Sequence, residues 1–138
     1  MKQVYFWLIL LLFISCQTQI KKINDSEDIE IAKEFVTKFY NLILSENFDE
    51  ASNLFENNLD KEKGKRLLLS INETYGRIKQ VDIIQTQTTN IQENKIKKIE
   101  YIVEMIVIYD KIKCKELITI KLIDNNLRII GYKSNIML

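Results

Sequence analysis

The sequence predicts an α+β fold in which N-terminal amphipathic helices pack on a curved four-stranded antiparallel meander. Between about residues 27 and 75, apolar side chains recur every three or four positions, as on one face of a helix. From Arg77 onward they alternate every second position, as in strands. The chain has no proline and no low-complexity tract, so nothing divides this region. A single domain over residues 27–138 is therefore expected.

The helical half is predicted as three segments. The acids and capping residues of 25–28 precede an apolar-periodic run, which predicts a first helix over about 27–44. Asn47 then caps a short second helix, and a third is expected over about 67–75, ending before Gly76.

The second half is predicted as four strands joined by short turns. Their expected ranges are 78–89, 96–109, 112–123 and 127–135. Asp124 and the asparagines after it suit a turn with positive φ, and Gly131 indicates either a bulge or a close backbone approach. Consecutive antiparallel strands with helices on one face give the α+β class.

The first sixteen residues have the order of an export signal. Lys2 provides a positive flank, an apolar run extends from Val4 to Ile14, and Ser15-Cys16 follows it. The run is shorter than the roughly 20 residues that span a bilayer core. Phe13-Ile14-Ser15-Cys16 resembles the lipobox of bacterial lipoproteins, which implies a signal peptide over 1–15 and acylation of Cys16. The alternatives are an ordinary cleaved signal before a free cysteine, or an uncleaved anchor.

Residues 16–26 are then the lipidated cysteine and a polar tether that lifts the domain off the membrane. Residues 17–24 carry isolated isoleucines without a helical or strand period. Several acyl chains would make a durable anchor. We expect the anchored domain at the periplasmic face of a bacterial membrane.

Charge and composition exclude several classes of function. Loss of Lys2 with the signal would leave 19 basic against 19 acidic residues, so no net field attracts nucleic acid, and no nucleic-acid partner is expected. The chain has no histidine, which excludes imidazole bases and His-containing metal sites. With Cys16 acylated, Cys114 has no disulfide partner within the chain. We expect it to be a small buried residue, with a reactive thiol or pairing between molecules as the alternative. No cofactor, metal or catalytic residue is predicted.

Two acidic residues on a predicted strand are candidates for paired carboxylate chemistry. Glu100 and Glu104 lie on the same face of the predicted strand 96–109, two same-face positions apart, with lysines on the neighbouring strand. Surface ion pairing is therefore their expected use. An enzyme would instead need an acid such as Asp82 or Glu104 to point inward.

The segments AKEFVTKFYNLILSENFDEASNLF and KELITIKLIDNNLRIIGYKSN resemble the nuclear-transport-factor-two-like, cystatin-like group, and within it small bacterial lipoproteins of unknown function. The resemblance covers about residues 27–135. It implies a sheet curled into a cone around the first helix, whose cavity some members use for ligands or catalysis. Candidate cavity-lining residues are Tyr40, Tyr75, Tyr101, Met105, Tyr109 and Tyr132, with ordinary core packing as the alternative.

These observations predict a lipid-anchored, non-catalytic binding or interaction domain of the bacterial cell envelope. Its expected partners are the membrane, through acylated Cys16, and a protein or a small apolar ligand. The alternative is an isomerase- or hydrolase-like enzyme that uses a carboxylate and a tyrosine inside the cone.

Overall fold

A computed structural model describes residues 19–56, 61–93 and 96–137 of the chain. These ranges contain three helices packed on a five-stranded antiparallel sheet, which confirms the α+β class. The helices are α1 (Ser26–Leu44), α2 (Phe48–Ser52) and α3 (Lys61–Tyr75), and the strands are β1 (Gln19–Ile23), β2 (Ile78–Glu93), β3 (Ile96–Tyr109), β4 (Lys113–Ile123) and β5 (Asn126–Ile136). The strands lie in the sheet in chain order.

The helix ends follow the predicted capping residues. Asp25 accepts a hydrogen bond from the Glu27 backbone N–H at 3.2 Å, and Asn47 caps α2 in the same way. Gly76 follows α3 with a φ of +85°, where a residue with a side chain would be strained. A Cβ added there would also lie 2.6 Å from the Cβ of Asp110, so both the backbone angle and the space require glycine.

The prediction of a four-stranded sheet is wrong, because Gln19–Ile23 adds a fifth strand. This segment lies in the predicted tether, yet it pairs antiparallel with β2 from Gln19 opposite Glu93 to Ile23 opposite Thr89. The strand β2 accordingly continues to residue 93 instead of ending near 89. Pairing with β2 makes this segment a strand, because the edge of β2 presents backbone N–H and C=O groups with which β1 forms hydrogen bonds.

The core lies between α1 and one face of the sheet. On α1 the buried side chains recur at helical spacing, and on β3 every odd-numbered residue from 99 to 109 is buried. The ring of Phe39 makes edge-to-face contacts with Tyr40, Phe55 and Tyr132 at centroid distances of 5.2, 5.9 and 6.4 Å. These aromatic contacts join α1 to the segment after α2 and to β5.

A bulge in β5 changes which residues face the core. Ile129 pairs with Ile120 and Gly131 pairs with Thr119, so Ile130 is an extra residue in the ladder. The sequence analysis predicted either a bulge or a close backbone approach at Gly131, and the structure has a bulge beside this residue. Because of it, Ile129 and Tyr132 face the same side of the sheet although they are three residues apart.

None of the helices in the described ranges is long and apolar enough to cross a membrane. The predicted signal peptide over 1–15 and Cys16 lie outside the described residues.

Candidate functional site

A glutamate lies in the core of the domain. Glu116 has no solvent exposure, and its carboxylate accepts four hydrogen bonds. The Tyr109 hydroxyl (2.6 Å) and the Ser134 hydroxyl (3.1 Å) donate to Oε1. The hydroxyls of Tyr40 (2.5 Å) and Tyr132 (2.6 Å) donate to Oε2. We call these five residues the Glu116 cluster.

The strand β4 places the acid of this cluster. Glu116 has the same parity as Cys114 and Ile118, so strand alternation turns it towards α1 with those apolar neighbours. Directly opposite it in the ladder stand Met105 on β3 and Ser134 on β5. The glutamate is thus held at the middle of three adjacent strands.

The three tyrosines arrive from three different elements. Tyr40 belongs to the buried stripe of α1, four residues after Val36, and so points at the sheet. Tyr109 is the last residue of β3, and Tyr132 faces inward because of the β5 bulge. Tyr40 therefore meets this carboxylate although it lies 76 positions from Glu116 in the sequence.

The hydrogen bonds fill the acceptor capacity of Glu116. An ionised carboxylate has about four lone-pair positions, and each oxygen here accepts two hydroxyl protons. Among the described residues no lysine or arginine pairs with this carboxylate. Hydroxyl groups stabilise it, and the three tyrosine hydrogen bonds, at 2.5 to 2.6 Å, are as short as charge-assisted bonds.

The tyrosines are held in their protonated form. Burial raises the pKa of the Tyr40 and Tyr109 hydroxyls well above the ordinary tyrosine value, and the negative charge of Glu116 raises it further. The pKa of Tyr132 is raised chiefly by burial too, then by Tyr40 and Glu116. A proton removed from any of them would leave two negative charges in contact, so these hydroxyls act as donors and not as bases.

Tyr40→Phe is expected to lower the free energy of unfolding by about 2 kcal/mol, because a buried hydrogen bond to a charged group is lost. Chemical denaturation measures this loss. The matched control is Tyr75→Phe: in the described part of the chain the Tyr75 hydroxyl has no hydrogen-bond partner, and its ring stacks edge-to-face on Tyr109 at 5.4 Å. The control should change stability by less than about 0.5 kcal/mol. Equal losses in both variants would contradict the assigned role of Tyr40.

A second buried carboxylate lies at the other end of α1. Asp28 is 5% exposed, accepts a hydrogen bond from the Tyr101 hydroxyl at 2.7 Å, and is contacted by the Asn90 side-chain amide at 3.2 Å. Burial and then Asp28 raise the pKa of Tyr101. Asp28 also lies in the first turn of α1, where the helix dipole favours negative charge. The carboxylate is therefore stabilised by both the sheet and its own helix.

The six candidate cavity-lining residues do not line a common site. Tyr40, Tyr109 and Tyr132 meet at Glu116, whereas Tyr101 bonds Asp28. Met105 is fully buried opposite Glu116. Tyr75 is half-buried against Tyr109 without reaching the carboxylate.

The acids considered for chemistry point outward. The carboxylate of Glu104 lies 2.7 Å from the Lys115 amine, and that of Glu100 lies 3.0 Å from Lys121. The predicted cross-strand ion pairing is confirmed. Asp82 is exposed and accepts hydrogen bonds from its neighbour Gln80.

Sequence reasoning missed Glu116, Ser134 and Asp28. A signal for Glu116 was present, since it interrupts an apolar face at the spacing Cys-x-Glu-x-Ile-x-Ile, and a lone acid at such a position needs buried partners. Ser134 carried no signal, because its orientation depends on the bulge in β5.

Access to the Glu116 cluster is closed at the carboxylate itself. A groove of about 230 Å³ between α1 and β2 is lined by Tyr40 together with apolar residues such as Val36 and Ile83. The described residues contain no group of three side chains that could hold a metal ion.

No protein family, no curated protein and no solved structure matches this chain. The fold and the Glu116 cluster are therefore the basis for a functional proposal.

Proposed function

We propose that the chain is a lipid-anchored, non-catalytic binding or interaction domain of the bacterial cell envelope. The observation that supports the non-catalytic part is the saturation of Glu116. A general base needs a free lone pair within reach of a substrate proton, and all four positions of this buried carboxylate are occupied. The cluster then serves to fix α1, β3, β4 and β5 in one arrangement, and recognition falls to the surface.

The anchor is supported by residues 1–16. Their charged, apolar and small segments have the order of an export signal, and the final four residues resemble a lipobox. We place the domain at the periplasmic face, with a protein or a small apolar ligand as its partner. We also propose that the fold belongs to the nuclear-transport-factor-two-like group, with the sheet curved as a cone. Helices followed by an antiparallel meander in chain order support that assignment.

Cys16→Ala is expected to move the protein from the membrane fraction to the soluble fraction of an expressing bacterium, because acyl chains at Cys16 would supply most of the membrane affinity. Immunoblotting of the separated fractions measures the change. Cys114→Ala is the matched control, since it removes the other cysteine, which is buried in the core. That variant should remain in the membrane fraction. A Cys16→Ala protein that stays membrane-bound would contradict the anchor.

A second candidate is an enzyme of the isomerase or hydrolase type. The specific observation in its favour is that the core holds a carboxylate in contact with tyrosine hydroxyls. The sequence analysis expected this combination of groups, but the acid is Glu116 and not Asp82 or Glu104. Substrate would have to enter from the groove beside Tyr40 and displace a hydroxyl from Glu116.

Native mass spectrometry and crosslinking of protein purified from its membrane separate the two candidates. A retained small molecule that a ligand-bound crystal structure places against Glu116 favours the enzyme. A ligand-free core with a protein crosslinked to the surface favours the interaction domain.

A further inference from the structure

The end of the sheet formed by β1 and the facing ends of β2 and β3 carries exposed isoleucines. Ile23 and Ile96 are 60 and 62% exposed, and the exposed Lys21 and Lys98 lie on the same face of the sheet, because both pair with Ile91. We call these four residues the β1-end surface. Long lysine side chains next to apolar groups allow the apolar groups to enter a lipid interface while the amines stay at the phosphates.

A groove with cationic and apolar walls opens at the same end. Its volume is about 360 Å³, and its lining includes Lys97, Lys98 and Lys121 together with apolar groups of Ile91 and Leu122. This groove combines the two chemistries of a phospholipid, an anionic head group and apolar chains.

The charge of this groove is net positive. Among the described residues, Glu100 is the one acid that lines it, and Glu100 pairs with Lys121 at 3.0 Å. In the described ranges Lys97 and Lys98 form no ion pair. Glu27 and Glu93 also lie at this end of the domain, so the preference for an anion is confined to the groove.

The chain connects this end to the proposed anchor over a very short distance. Only two residues lie between Cys16 and Gln19, and an extended chain covers no more than about 11 Å over these three residue steps. Gln19 is already paired with Glu93 in the sheet. An acyl anchor at Cys16 would therefore hold the β1-end surface close to the lipid head groups. A longer tether would let the domain move away from them.

We propose that the β1-end surface docks on the bilayer and that the adjoining groove takes the head group of an anionic phospholipid. This inference rests on the proposed acylation of Cys16, and it adds a fixed orientation of the domain on the membrane. The isoleucines enter the interface, and Lys97 and Lys98 contact phosphate. The opposite end of the sheet, at the β3–β4 turn, faces away from the membrane and is left for a partner.

Quenching of a polarity-sensitive fluorophore tests the orientation. The probe is attached at Ile96→Cys or, as the matched control, at Ile136→Cys, another exposed isoleucine (52%) at the far end of the sheet. Both variants carry Cys114→Ala, and the full lipidated chain is placed in phosphatidylcholine vesicles with brominated lipid, with or without phosphatidylglycerol. We expect strong quenching at 96, stronger with phosphatidylglycerol, and almost none at 136. Equal quenching at both positions would overturn the docking.

Charge reversal tests the groove. Lys97→Glu with Lys98→Glu should reduce the phosphatidylglycerol-dependent part of the quenching at position 96 at least fivefold, because each lysine near an anionic surface contributes about fivefold to affinity. Lys113→Glu with Lys133→Glu, two exposed lysines near the other end, is the matched control and should have no effect. Unchanged quenching in the first pair would remove the head-group site.

Flotation of the vesicles separates failure of the anchor from failure of the docking. Protein that does not float with vesicles overturns acylation of Cys16, and the docking with it. Protein that floats while position 96 remains unquenched keeps the anchor and overturns the docking alone.

Discussion

Glu116→Ala is expected to lower the free energy of unfolding by about 5 kcal/mol, which is a large part of the total stability of a domain of this size. The substitution leaves the hydroxyls of Tyr40, Tyr109 and Tyr132 without their acceptor and opens a cavity at the centre of the sheet. Each buried polar group left unsatisfied costs about 1–3 kcal/mol. Urea denaturation followed by circular dichroism measures the loss.

Glu116→Gln is the matched control for shape. The amide keeps the volume and one acceptor oxygen but loses the charge, so a smaller loss of about 2 kcal/mol is expected. A further variant, Glu116→Leu with all three tyrosines changed to phenylalanine, removes the acceptor together with three of its four donors and should recover part of the stability lost in Glu116→Ala. If Glu116→Ala unfolds within about 1 kcal/mol of the unsubstituted protein, the Glu116 cluster does not organise the core.

Stability is expected to fall steeply above about pH 10. In the unfolded chain tyrosines lose their protons near pH 10, whereas Tyr40 and Tyr109 have a raised pKa in the fold and keep theirs. The unfolded state then binds fewer protons than the folded state, so rising pH favours unfolding. Each such tyrosine contributes a slope of about 1.4 kcal/mol per pH unit, and these two alone give about 3. Below about pH 10 their contribution is fully present.

Urea denaturation between pH 9 and pH 12 checks this slope, with tyrosinate absorbance recorded in the same samples. Tyr40→Phe should reduce the slope by about 1.4 kcal/mol per pH unit, since one linked proton is removed. Tyrosinate that forms in the folded protein near pH 10, before unfolding, would contradict the protonated cluster.

The sequence predicts the regular elements of this fold well, because their signals are local. Capping by Asp25 and Asn47, the stop at Gly76 and the alternation of β3 all follow from neighbouring residues. The strand β1 could not be predicted in this way. Its residues show no alternation of their own, and the unpaired edge of β2 decides its structure.

The candidate site was predictable only in part. Aromatic residues at core positions were evident from the periodicity, and three of the six meet in the Glu116 cluster. Their common partner was not identified, because the pattern shows that Glu116 faces the core but not which hydroxyls reach it. Those contacts depend on the packing of α1 across the sheet and on the β5 bulge beside Gly131, both set by long-range structure.

Mass spectrometry of the N-terminal peptide of protein purified from bacterial membranes tests the proposed lipid anchor most directly. The account predicts a mature chain that begins at Cys16 and carries acyl chains on that residue. A chain that begins elsewhere, or an unmodified Cys16, would contradict it.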